Sequence, residues 1–129
     1  ERLPEFTAND INGVEITHKN FVGKKTLIIF WSRTCPHCLI MKDEIKAWEA
    51  EKSPDDPNVI IISEGDSDAH LEIGFKSPVI LDEDRELSTK LGMINTPSAI
   101  LVNENGVIIT ETGIGSKNIW ALAGRRITN

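Results

Sequence analysis

The sequence predicts an α/β domain: a central mixed β-sheet flanked by helices on both faces, with an extra hairpin at the N-terminus. Three observations carry this expectation. Eighteen Ile and six Val outnumber nine Leu, so β-branched residues dominate the apolar set and a sheet belongs at the centre. Two apolar runs, Leu27 to Trp31 and Val59 to Ile62, show no alternation, as expected of strands covered on both faces. Between them Cys38, Met41, Ile45 and Trp48 recur in steps of 3, 4 and 3, which traces one face of a helix. Residues 26–63 therefore read as one βαβ unit. The chain shows no linker, repeat or low-complexity stretch, so residues 1–129 form one domain.

The remaining elements follow in order. Phe6 to Thr17 holds Asn12-Gly13 between short alternating pieces, the signature of a hairpin. Pro36 suits the first position of the helix, and Ser53-Pro54-Asp55-Asp56-Pro57 is a loop. A short helix is expected around Ala69 to Phe75, a strand at Val79 to Leu81, and a helix from Asp84 to Leu91 closed by Gly92. Ala99–Val102 and Val107–Ile109 flank Glu104-Asn105-Gly106 and predict a second hairpin. Gly113 and Gly115 then open a closing helix from about Ser116, with Ile119, Leu122 and Ala123 on its inner face.

Composition narrows the function. Lys and Arg total 14 against 20 Asp and Glu, a formal charge of −6, which offers no footprint for nucleic acid or anionic lipid. The longest apolar run is far short of the roughly 20 residues that span a bilayer. The chain opens on Glu1 rather than Met, which leaves room for an export or anchoring segment upstream. The acidic surface and short strands lead us to expect a monomer, and no cofactor is expected.

The two cysteines, in Cys35-Pro36-His37-Cys38, form a single local pair. With Pro36 at the first helical position, Cys35 becomes the N-cap, beside unpaired N–H groups and the positive end of the helix dipole. Its thiol pKa should fall below the free value of about 8.5, favouring the thiolate that attacks disulfides. Cys38 begins the buried helix face, within reach to close a disulfide onto Cys35. Metal binding is the competing use, but tetrahedral zinc wants four ligands, and His18, His37 and His70 show no ligand spacing. Haem attachment needs His where Leu39 stands. A purely structural disulfide would close a tiny loop and stabilise little.

The segment Phe30-Trp31-Ser32-Arg33-Thr34-Cys35-Pro36-His37-Cys38 after an apolar strand resembles the active site of thioredoxin-fold proteins, and Thr96-Pro97 before Ser98–Val102 resembles their cis-proline loop. The N-terminal hairpin resembles the extracytoplasmic TlpA/ResA-like branch. Ser32-x-Thr34-Cys35-Pro36-x-Cys38, Ser63-x-Gly65-Asp66 and Thr96-Pro97-Ser98-Ala99 look closest to the MauD-type redoxins of methylamine utilisation. The resemblance implies a thiol–disulfide oxidoreductase of the cell envelope that exchanges electrons between Cys35–Cys38 and a protein disulfide or dithiol. It also implies a separate redox donor or acceptor.

The same resemblance implies roles for individual residues. Pro97 would be cis and hold its loop open against the disulfide. Thr96 would receive an extended substrate as an added strand, with Trp31 flanking the site. Pro36 and His37 would tune Cys35, because the same dipeptide occurs in oxidising DsbA-like enzymes. The buried Asp of thioredoxin is replaced by Ile29, and Asp66 stands where ResA-like reductants carry a Glu. The ResA-like scaffold points to a reductant and Pro36-His37 to an oxidant, so the direction stays open. Two other functions compete: a peroxiredoxin-like peroxidase using Cys35, which lacks its Pro because Ile28 stands there, and a non-catalytic metal-binding module.

Overall fold

A computed structural model describes residues 2–64, 67–82 and 85–124. Strands β1 (Thr7–Asn9) and β2 (Glu15–Thr17) form the expected antiparallel hairpin, with Ala8 opposite Ile16. Its turn is built by Asp10, whose Oδ1 accepts from the N–H groups of Asn12 and Val14. Gly13 supplies the positive φ of 81° that the turn needs. A 3₁₀ turn, His18–Phe21, then buries Phe21.

The main sheet contains β3 (Thr26–Phe30), β4 (Asn58–Ser63), β5 (Val79–Leu81), β6 (Ser98–Val102) and β7 (Gly113–Ile114) in the order β5-β4-β3-β6-β7. Strands β3, β4 and β5 are parallel, while β6 and β7 reverse the direction at each step. The hairpin docks on the outer side of β5, where Asp10 bridges Ile80 and the Ile11 N–H donates to the Val79 carbonyl. That covers an edge that would otherwise expose unpaired backbone.

Strand parity divides the core in two. Leu27, Ile29, Val59, Ile61, Ala99 and Leu101 face helix α1 (Pro36–Glu51) and helix α4 (Ser116–Leu122). Ile28, Phe30, Ile60, Ile62, Ile100 and Val102 face helix α3 (Glu86–Lys90), Phe21 and Ile16. Helix α1 buries Cys38, Met41, Ile45 and Trp48, the four residues the spacing singles out. Helix α2 (Ser67–Ile73) starts two residues before the expected position. The Asp82 carboxylate holds the start of α3, accepting from the Leu87 and Ser88 N–H groups and from the Ser88 hydroxyl. The expected start of that helix at Asp84 lies outside the described residues.

One expected strand is displaced. The tight turn at Asn103–Gly106 forms, with Asn103 and Val107 paired through the backbone, but Val107–Ile109 makes only isolated bridges. The Leu101 N–H turns instead to the Thr110 hydroxyl at 3.1 Å, which takes a ladder position from the backbone. Regular pairing resumes as β7, with Gly113 opposite Ala99. Gly113 is therefore a strand residue rather than the opening of the last helix. It packs so close to α4 that a Cβ would lie 3.2 Å from the Asn118 carbonyl oxygen.

Candidate active site

The C-terminal end of β3 and the N-terminal end of β6 lie side by side because the two strands are antiparallel, with Phe30 opposite Ser98. Residues 31–35 leave one strand and residues 94–97 enter the other, so two loops distant in sequence meet at one rim. Cys35 sits there as the N-cap of α1, with Pro36 as the first helical residue. Its Sγ lies 3.5 Å from the Thr96 carbonyl oxygen, and the Thr96–Pro97 peptide bond is cis. Pro97 is buried and Thr96 half-buried.

Both cysteines are free thiols with contrasting surroundings. Burial pulls the Cys35 thiol up, but hydrogen bonds from the Thr96 side chain, from Cys38 and from the His37 backbone outweigh it, so the thiol ionises below its ordinary range. Pro36 has no N–H and the Leu39 N–H is committed to the Cys35 carbonyl. The N–H groups of His37 and Cys38 are thus the ones left for the sulfur. Cys38 has no exposed surface, and desolvation pushes its thiol up to about 12, against a hydrogen bond from the Ser32 backbone. One sulfur is reachable and inclined to ionise; the other is shielded, protonated and within bonding reach of the first.

The turn holding this pair is ordered by Ser32, 3% exposed. Its carbonyl accepts from the Cys35 N–H at 3.2 Å, and its hydroxyl pairs with Thr34 Oγ1 at 3.0 Å. Glu64, at the end of β4, was not foreseen here. Its carboxyl is held below the usual carboxylate range, chiefly by hydrogen bonds from Arg85 at 3.0 and 3.2 Å and also by the Ser32 hydroxyl, against partial burial.

Two expected roles change. Trp31 is wholly buried and presents no surface to a substrate. Strand parity sends it under α1, where its Nε1–H donates to the Cys38 carbonyl at 2.7 Å. The His37 side chain is exposed, and what residue 37 gives Cys35 is its main-chain N–H. Pro36 is exposed at the helix tip. Asp66 lies outside the described residues. Among those residues, no cluster of His, Cys, Asp and Glu is arranged to hold a metal ion, and no helix is long and apolar enough to cross a membrane.

The profile of the AhpC/TSA family matches residues 1–111. The chain belongs to the AhpC/TSA family. Within that family it is similar to the thiol-disulfide oxidoreductase ResA of Bacillus thuringiensis, 26% identical over 119 residues that cover 86% of this chain and 67% of the relative. This AhpC/TSA-family chain also shares its thioredoxin-like fold with solved structures. The exposed lipoprotein thioredoxin Etrx1 of Streptococcus pneumoniae superposes with a TM-score of 0.77 at 20% identity, covering 92% of this chain and 95% of the other. StoA of Bacillus subtilis gives 0.74 at 24% identity, with 95% and 96% covered.

Proposed function

We propose that this AhpC/TSA-family protein is an extracytoplasmic thiol–disulfide oxidoreductase whose Cys35–Cys38 pair exchanges electrons with cysteines of a polypeptide substrate. The observation that carries the reading is the half-buried Cys35 Sγ at a helix N-cap, 3.5 Å from the Thr96 carbonyl, with Cys38 sealed behind it.

In the reducing direction Cys35 thiolate attacks one sulfur of a substrate disulfide, and the other sulfur leaves as a thiolate. Cys38 then gives up its proton and attacks Cys35 Sγ. The Cys35–Cys38 disulfide forms and the substrate departs with its second sulfur reduced. The reverse sequence oxidises a substrate dithiol.

The rim favours polypeptide. Thr34–Met41 and Leu91–Val102 contain no Asp, Glu, Lys or Arg in a chain that is 26% charged. They expose Leu39, Ile40 and Ile94, the last at 76%. A largely apolar rim, with exposed Arg33 as the charged residue of its first loop, fits an extended segment added along Thr96. Pro97 serves to keep that backbone open.

The surroundings that stabilise Cys35 thiolate stabilise the dithiol form, and so move the couple toward the oxidising side. That agrees with the MauD-type resemblance and a role in making or sorting disulfides in exported proteins. The likeness to Etrx1, an exposed lipoprotein, supports the envelope placement. The protein acts as a monomer that a separate redox partner recharges.

The peroxidase alternative lacks its proline, since Ile28 stands at that position, buried within β3. Two assays test the proposal. Cys35→Ser must abolish both insulin-disulfide reduction and dithiol oxidation, and retained activity overturns the assignment. Titration against glutathione fixes direction: a potential toward about −120 mV supports oxidation, whereas one near about −270 mV makes the protein a reductant. Peroxide turnover that survives Cys38→Ser would establish the peroxidase instead.

A further inference from the structure

Of the three histidines, only His70 is buried, with no exposed surface. It lies on the inner face of α2 and enters the core facing α1, which is otherwise almost entirely apolar. Its Nε2 is hydrogen-bonded to Ser63 Oγ at 2.7 Å, and Ser63 is equally buried at the end of β4. The His70 ring meets Trp31 edge to face, with centroids 6.0 Å apart, and Phe75 meets the same indole edge to face at 5.4 Å. Trp31 in turn donates its Nε1–H to the Cys38 carbonyl at 2.7 Å. Ser63, His70, Trp31 and Cys38 thus form a continuous path of contacts from β4 to the resolving cysteine.

Burying a Ser–His pair beside an indole has a desolvation cost that an apolar pair of similar volume would avoid. What the polar pair adds is direction: the hydrogen bond fixes the imidazole plane, and the plane fixes which way the indole can turn. We propose that His70 is a positioning residue for the resolving step. Anchored by Ser63, it locks the Trp31 indole so that Nε1–H holds the first turn of α1 and keeps the Cys38 sulfur aligned on Cys35. The inference rests on the thiol–disulfide reading, because it concerns the second of its two sulfur transfers. A small misalignment of reacting atoms costs up to about a hundredfold in rate.

Stopped-flow reaction of the reduced protein with dithiobis-nitrobenzoate separates the two transfers. Attack by Cys35 forms the mixed disulfide and releases one thionitrobenzoate anion. Attack by Cys38 on Cys35 Sγ then closes the protein disulfide and releases the second. Ser63→Ala and His70→Phe, each checked for folding by circular dichroism, should leave the first release within twofold of the parent and slow the second about tenfold. His70→Gln, whose amide nitrogen can take the place of Nε2, should restore the second release to within threefold. Equal rates in folded variants overturn the proposal, and so does parallel slowing of both releases, which loosened packing alone would produce. Should His70→Phe not fold, the Ser63→Ala and His70→Gln pair decides the matter. A parent protein that gives no second release overturns the redox reading itself.

Discussion

Thr96→Val deletes the side-chain hydroxyl that hydrogen-bonds toward Cys35 and keeps the main-chain carbonyl 3.5 Å from the sulfur. A hydrogen bond to a charged group contributes about 1.5–3 kcal/mol. Cys35 is only half-buried, so solvent screening reduces this to about 1 kcal/mol. Below the titration midpoint of Cys35, that loss lowers the thiolate fraction about fivefold. A more basic thiolate is also a better nucleophile, with a Brønsted slope of about 0.4–0.5, so roughly half of the loss is recovered. The attack rate should therefore fall about two- to threefold below the midpoint and rise about twofold on the alkaline plateau. The midpoint itself moves to higher pH, and the two pH–rate curves cross. Stopped-flow measurement in a Cys38→Ser background isolates Cys35. A midpoint that stays in place, or a plateau that falls, refutes the hydroxyl as a stabiliser of the thiolate.

Cys38→Ser should accumulate a mixed disulfide with substrate, visible as a covalent adduct on non-reducing gels, whereas Cys35→Ser forms none. The reduced protein should lose stability in alkali. The Cys38 pKa is raised from an ordinary 9.0 to about 12, so its contribution is complete below about pH 9 and lost as pH climbs toward 12, with a ceiling of about 4 kcal/mol. Urea unfolding of the reduced and oxidised forms across that range checks this, because the oxidised form has no such thiol. Gly113→Ala should destabilise the fold by about 1–2 kcal/mol, since the new Cβ would sit 3.1 Å from Leu122 Cδ1 and 3.2 Å from the Asn118 carbonyl oxygen. Denaturant midpoints report the loss, while Cys35 reactivity stays within twofold.

Much of this fold is readable in the chain because burial on both faces writes itself as uninterrupted apolar runs. Leu27–Trp31 and Val59–Ile62 mark the two central strands, and the 3-4-3 spacing of Cys38, Met41, Ile45 and Trp48 marks the helix between them. The placement of the cysteine pair was equally legible, since Pro36 suits the first helical position and Cys35 falls at the N-cap before it. Strand β7 was not legible. Gly113 has no strand preference of its own, and its place follows from the close packing of α4 and from a hydroxyl of Thr110 that interrupts the ladder. The position of Trp31 follows from strand parity: it continues the odd-numbered series Leu27, Ile29, whose side chains all face α1. His70 carried a fainter signal, three residues before Ile73 on the inward face of α2.

The antiparallel ladder between β3 and β6 acts as a ruler for the thiol. Each rung from Thr26–Val102 to Phe30–Ser98 sets how far Thr96 stands from Cys35. Sliding β6 by two residues would keep every side chain on its proper face, yet carry Thr96 about 7 Å along the strand axis. Such a shift would also mispack the interior, because Ala99 and Leu101 differ in volume, and the sulfur would lose its neighbour. The span from Phe30 to Cys35 and the span from Thr96 to Ser98 therefore have to keep their residue counts.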